Sequence, residues 1–381
     1  MRKNNLSKIK AILISSLLIG GAAHAAPGHV QPGQAQPGAR HVDVVIALDT
    51  SSSMDGLIDS ARQKLWDVVN LLSQAKPQPI LRVGLIAYGN TGFSPQAGWV
   101  HKESDLTTDL DGIYSKLFAL RTNGGTEYVA RAVTDATNTM QWDQDQQALK
   151  IIFVAGNEPA NQDPIIPVES AVQAAREKGI FVNAIYCGSQ SAGEAIGWQS
   201  VARLGGGKYA AIDQNRVVAI NTPMDEELNR LSGELNKTYV SYGRKGKEKA
   251  ANQMAQDKNA QSVGGMAAAS RAAAKSSGLY RNEEWDLLDA RAHGGKDVKT
   301  MAADELPAEL RDLKPAEREV YLDGKAKQRT ELQQKIAETN KRREVYIAAE
   351  RKKTAKPGSM AFDDAVTGAI KTEAQSAGFA F

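Results

Sequence analysis

The sequence predicts an α/β fold with a mostly parallel central sheet and helices on both of its faces, followed by a mainly α-helical C-terminal region. Three observations carry this reading. Between residues 41 and 235, short apolar runs alternate with longer stretches of helical periodicity, the pattern of a parallel sheet covered on both sides by its crossover helices. Residues 42–48 form a short, apolar, β-branched run, as expected of a central strand buried on both faces. Beyond residue 235 such runs cease, and charged, Ala- and Gln-rich sequence takes their place.

The elements follow in order. Residues 1–25 have the layout of a secretory signal peptide: a basic leader (Arg2, Lys3, Lys8, Lys10), an apolar core at 11–20 and the small-x-small site Ala23-His24-Ala25. The apolar core is short for a membrane span, and no later segment is apolar enough for one. Residues 26–40 are rich in Pro, Gly, Gln and Ala and read as a flexible linker, because they have too little to bury. The first domain is expected over 41–235. Its strands fall at 42–48, 80–88, 151–154, 181–187 and 209–212, with an antiparallel edge strand at 99–102. Its helices fall at 57–72, 110–120, 128–140, 168–178, 195–204 and from 226 to 235. Pro77 and Pro79 end the first helix, Gly179 caps the fourth, and Gly205-Gly206-Gly207 terminates the fifth.

Residues 236–290 read as an Ala/Gln-rich linker with a docking segment. Residues 236–243 are a last extended piece, and the run to 274 has helix propensity but little to bury, so it either lies over another surface or stays semi-ordered. The stretch 279–288 concentrates Leu279, Tyr280, Trp285, Leu287 and Leu288, and reads as a plug on the first domain or as a partner-binding segment. Residues 291–381 form a charged helical region. A narrow apolar stripe through Leu306, Leu310, Leu313, Val320, Leu332, Ile336 and Val345 fits a solvated helix, a hairpin or a coiled coil, with a new helix starting at Pro315. Phe362, Ala365, Val366, Ile370 and Phe379 suggest one further amphipathic helix.

Composition narrows the function. The single cysteine, Cys187, rules out an internal disulfide framework and reads as a buried small hydrophobe within a strand. None of the five histidines has zinc-ligand spacing. A net charge of +3 in an exported chain makes nucleic acid a poor partner, despite the basic clusters at 341–343 and 351–353. Gly124-Gly125 lacks the Gly-Lys-Ser/Thr ending of a phosphate loop. No nucleophile–base pair is recognisable, so no enzyme activity is expected; Asp55 and Glu127 could be imagined as a paired acid and base, but no nucleophile, His or cofactor motif supports that.

Asp49, Ser51 and Ser53 alternate where the first strand has ended and its helix has not begun. This carboxyl-end crevice is the usual ligand position in an open α/β sheet, and all three residues offer the oxygen that hard divalent cations require. The row, together with the Gly124-Gly125-Thr126 loop, resembles the metal-ion-dependent adhesion site of von Willebrand factor type A domains. The resemblance implies a Rossmann-like type A fold over 41–235, direct metal binding by Ser51, Ser53 and Thr126, and Asp49 acting through water. It implies Mg²⁺, or alternatively Mn²⁺ or Ca²⁺, as the cofactor. The two glycines before Thr126 would let the backbone approach the metal. Where the family has a second aspartate after the fourth strand, this chain has Gly156, and Asn157 or Glu158 are the candidate substitutes. Asp55 and Asp59 lie close enough for a second cation, or simply face solvent at a helix N-terminus. The whole chain resembles exported bacterial type A proteins with a charged helical C-terminal region.

The function expected from this is cation-dependent protein binding in the bacterial envelope, periplasmic or secreted, with the metal bridging to an acidic residue of a protein partner. The loss of an acid at position 156 would make the metal lean more on the partner's carboxylate. The alternative is a metal-free scaffold acting through its helical C-terminal region.

Overall fold

The computed structural model describes residues 40–211, 220–354 and 362–381. The leader expected at 1–25, the flexible linker apart from Arg40, and Ile212 of the last predicted strand lie outside these residues. The first half of the chain runs β1 (His41–Asp49), α1 (Asp55–Leu72), β2 (Ile80–Tyr88), β3 (Val100–Thr107), α2 (Leu110–Ala119), α3 (Val129–Thr139), β4 (Leu149–Gly156), α4 (Val168–Glu177), β5 (Ile180–Tyr186), α5 (Ala195–Leu204), β6 (Gly206–Ala211) and α6 (Asp225–Asn236). The second half is helical: α7 (Gly246–Val263), α8 (Gly265–Ser276), α9 (Leu287–His293), α10 (Ala308–Arg311), α11 (Pro315–Thr354) and α12 (Phe362–Ser376).

The strands form one six-stranded sheet in the order β3-β2-β1-β4-β5-β6. All pairings are parallel except that of the edge strand β3 with β2. β1 sits inside the sheet, and its alternation sends successive side chains into two different cores. Val42, Val44 and Leu48 pack with α1, α2 and α12 on one face, whereas Val45 and Ala47 pack with α3, α4 and α5 on the other. This is why the run carries no polar face. Its one charge, Asp43, is buried and held by the Arg82 guanidinium at 2.6 and 2.8 Å.

The glycine run after α5 does more than end a helix. Gly205 caps α5, and β6 already begins at Gly206. A Cβ at Gly207 would lie 2.3 Å from the Val182 carbonyl oxygen, so bare backbone is what lets β6 approach β5 there.

The helices beyond residue 235 cover the first half of the chain. α8 lies over α1, α7 contacts α1 and α2, and α12 packs on β6. Ala268 and Ala274 of α8, Leu279, Tyr280, and Ile370, Ala374 and Phe379 near the C-terminus belong to the same core as Trp66 and Leu65 of α1. Small alanine side chains let α8 approach closely. Trp285 stacks on Tyr239, and Leu287 and Leu288 enter a separate core with Val298, Leu306, Leu310 and Leu322. α11 is a single unbroken helix of 40 residues, with no hairpin, and runs about 60 Å at 1.5 Å per residue. Its Leu332 and Ile336 seal a core with Leu228, Leu231 and Leu235 of α6 and Ala269 and Ala272 of α8.

A buried charge network fastens this cover. Arg271 of α8 donates to Asp111 of α2 and to Asp257 of α7, both at 2.6 Å, and stacks over the Trp66 ring. Lys275 completes the group at 2.9 Å from Asp257. Burial would raise the Asp257 carboxyl, but the Lys275 and Arg271 charges outweigh it and bring its pKa down to about 2. No helix among the described residues is long and apolar enough to cross a membrane.

Candidate metal centre

β1 ends at Asp49, flanked by Tyr88 at the end of β2 and by Ala155 and Gly156 at the end of β4. The turn out of β1 is fixed by local hydrogen bonds. The Thr50 N–H and hydroxyl both donate to the Tyr88 carbonyl, at 2.7 and 2.9 Å. The Ser51 N–H donates to Asp49 Oδ1 at 2.7 Å, a side-chain turn that holds the carboxyl at the strand end. The Ser51 and Ser53 hydroxyls then lie 3.2 Å apart.

The Thr126 loop is sewn to this row. The Ser52 N–H donates to the Gly124 carbonyl at 2.8 Å, and the Asn123 N–H donates to the Thr50 carbonyl at 3.0 Å. Thr126 pairs with Gly89 in an antiparallel bridge just past β2. Gly124 has φ +68, a left-handed conformation that glycine adopts without strain. Asp49, Ser51, Ser53 and Thr126, separated by up to 77 positions in the sequence, are thus gathered at the carboxyl end of the sheet. Asp49 and Ser51 are buried, Thr126 is half-buried and Ser53 is exposed, so the row opens to solvent on the Ser53 side.

The two candidate substitutes behave differently. The Asn157 amide donates to Ser53 Oγ at 3.1 Å and so reaches the row. Glu158 is exposed, and its backbone carbonyl accepts from Trp198 Nε1 at 2.8 Å. Asp55 accepts from the Thr122 hydroxyl at 2.7 Å and Asp59 pairs with Arg62 at 2.9 Å, so both acids have protein partners. Cys187 is buried beside the site, and burial raises its thiol pKa further.

The residue that the sequence reading did not place at the metal site is Glu127. It directly follows Thr126, and its carboxyl faces the Ser51 hydroxyl and the Asp49 carboxyl. Burial, reinforced by the neighbouring Glu127 charge, pushes Asp49 up to about 8, and burial raises Glu127 as well. Asp49 Oδ2 and Glu127 Oε2 are both buried without a hydrogen-bond partner. The available signal was its adjacency to Thr126 in a loop that must enter the site.

An all-oxygen set of hydroxyls beside buried carboxyls that lack a counter-charge fits a hard divalent cation. Among the described residues, no group of three or more His, Cys, Asp and Glu could hold a metal, so any such site depends on the hydroxyls.

The sequence model of the von Willebrand factor type A domain matches residues 44–158, a span that includes Asp49, Ser51, Ser53, Thr126 and Glu127. This chain carries a von Willebrand factor type A domain. No curated protein matches the chain. Among solved structures, the open conformation of the pilus adhesin SpaC from Lactobacillus rhamnosus GG is similar at 14% identity and a TM-score of 0.35, covering 46% of this chain and 28% of that one. The von Willebrand domain of a type V pili tip protein from Porphyromonas gingivalis gives 13% and 0.36, covering 47% and 92%. Proximal thread matrix protein 1 from the mussel byssus, with a zinc-occupied adhesion motif, gives 13% and 0.34, covering 47% and 43%. The chain therefore spans little more than a quarter of the SpaC adhesin.

Within this type A domain, position 156 has a steric reason to be glycine. A Cβ there would lie 2.6 Å from the Tyr88 hydroxyl and 3.2 Å from both Trp198 and Asp49 Oδ2. Tyr88 is fully buried and its hydroxyl donates to the Ala155 carbonyl at 2.9 Å, so it is not free to move aside.

Proposed function

We propose that this protein is a divalent-cation-dependent protein-binding module of the bacterial envelope. The observation that carries the reading is the Ser51 and Ser53 hydroxyl pair beside a buried Asp49 carboxyl with an unpartnered oxygen, with the Thr126 loop hydrogen-bonded to the same turn. Ser51, Ser53 and Thr126 would hold the ion directly, with Asp49 behind them. Mg²⁺ is the expected ion, with Mn²⁺ or Ca²⁺ as alternatives. When bound, the cation supplies an electrophilic point that accepts a carboxylate from a protein partner. The protein's own residues hold the serine turn rigid through the Thr50–Tyr88 and Ser52–Gly124 hydrogen bonds, and leave the Ser53 side open to that partner. The proposed role is binding rather than catalysis. The envelope location rests on the leader-like residues 1–25.

Titration calorimetry of Mg²⁺ and Mn²⁺ into the full chain tests this, with Ser51→Ala and Thr126→Ala as controls. Saturable binding that both variants lose, with folding intact by circular dichroism, is the expected result. Absence of binding by the wild-type chain, together with partner capture that ignores chelator, overturns it.

A further inference from the structure

We infer that Glu127 supplies the second resident acid of the cation site, from the Thr126 loop rather than from the end of β4. The inference rests on the cation-binding reading above and adds to it the residue that completes the site's charge.

Three observations converge. The end of β4 has no room for an acid: the fixed Tyr88 hydroxyl, Trp198 and Asp49 Oδ2 already fill the space in which a side chain at position 156 would start. Asn157, which does reach Ser53, is neutral, and Glu158 points its charge from an exposed position.

Glu127, by contrast, has space made for it by two glycines. A Cβ at Gly89 would lie 2.9 Å from Glu127 Cγ and 2.7 Å from Asp49 Oδ1. A Cβ at Gly125 would lie 3.2 Å from Glu127 Oε1 and 3.9 Å from the Ser51 Cβ. Gly89 also has φ +76, so a side chain there would be strained as well as crowded. Bare backbone at both positions is what admits the second carboxyl.

The third observation concerns what Glu127 does once inside. It is 7% exposed, yet Oε2 has no partner, and Oδ2 of the neighbouring Asp49 carboxyl has none either. Two adjacent buried carboxyls without a cationic partner repel each other and pay full desolvation when ionised. A carboxyl serving only to tie the loop would have its oxygens paired with donors. Both open oxygens are accounted for by a cation that the structure's own side chains do not provide. Asp49 and Glu127 together bring two negative charges to a set of otherwise neutral hydroxyls, which matches a dication. The site then holds its metal before any partner arrives, and the loss of acid at position 156 leaves no deficit.

The test is Mn²⁺ titration calorimetry on the full chain, comparing wild type, Glu127→Gln, Glu127→Asp, Glu158→Gln and Ser51→Ala. Glu127→Gln keeps the shape and removes the charge. Affinity is expected to fall about 10–100-fold in Glu127→Gln, to fall measurably in Glu127→Asp, to stay at the wild-type value in Glu158→Gln and to be lost in Ser51→Ala. The metal-free Glu127→Gln protein is expected to be at least as heat-stable as metal-free wild type, which a merely structural role would not allow. Wild-type affinity in Glu127→Gln, with binding still lost in Ser51→Ala, overturns the role of Glu127 and leaves the cation site standing. Should Glu127→Gln not fold, wild-type affinity in Glu127→Asp overturns it equally. No Mn²⁺ binding by wild type overturns this inference, and overturns the cation site with it if partner capture also ignores chelator.

Discussion

Replacing Glu373 with glutamine is expected to stabilise the protein in a strongly pH-dependent way. Glu373 lies on α12, 3% exposed, where it meets the sheet. The Asn183 amide of β5 donates to its Oε2 at 3.1 Å, while Oε1 is buried without a partner. Burial raises its pKa to about 7 from an ordinary 4.5, against the opposing pull of the Asn183 hydrogen bond and the Lys208 and Arg176 charges. A carboxyl whose folded pKa is raised favours folding when neutral. Its contribution is full below pH 4.5 and is lost as pH rises through 7. The gap corresponds to about 3 kcal/mol at 1.36 kcal/mol per pKa unit. Glutamine never ionises, so Glu373→Gln should match wild type near pH 4.5 and exceed it by up to about 3 kcal/mol at pH 8. Urea unfolding followed by circular dichroism across that range measures the difference. A difference that is constant with pH, or that grows towards acid, refutes the reasoning.

Arg271→Met removes the guanidinium that faces both Asp111 and Asp257, leaving buried carboxylates short of a partner, and should cost about 3–5 kcal/mol in the urea midpoint at neutral pH. A loss below 1 kcal/mol would mean that the network does not fasten α8 to α2 and α7. Truncation after residue 236 strips α8 and α12 from a core they share with Trp66 and Leu65. The fragment should lose its near-ultraviolet dichroism and bind a hydrophobic dye, whereas a sharp thermal transition would show that the type A domain stands without its cover. For this reason the metal and partner assays above use the full chain.

The cation site divides along the same line between local and distant information. The serine row and the Thr126 loop are legible because their chemistry is local: an acid and hydroxyls at alternate positions after an apolar strand, and two glycines before a threonine. The role of Glu127 is not legible in that way. It depends on the space left by Gly89 and on the Tyr88 hydroxyl closing off position 156, which are contacts between residues 30 or more positions apart.

The sequence by itself determined the layered α/β architecture. Strands such as β1 that are apolar on both faces can only lie between two helical layers, and the helical periods show which stretches form those layers. It also determined that the second half is helical and that the 279–288 stretch has something to bury. The tertiary structure decided where those helices go. An Ala-rich segment has too small an apolar face to announce its partner, and α8 finds one through close approach to α1 and through Arg271 reaching across to α2. α11 stays one helix rather than folding into a hairpin, with Leu332 and Ile336 buried against α6 and α8 and Leu322 against the core of Leu287, Leu306 and Leu310. Periodicity records which side of an element is buried, whereas only packing records what it is buried against, and the buried charges of this protein are set by the latter.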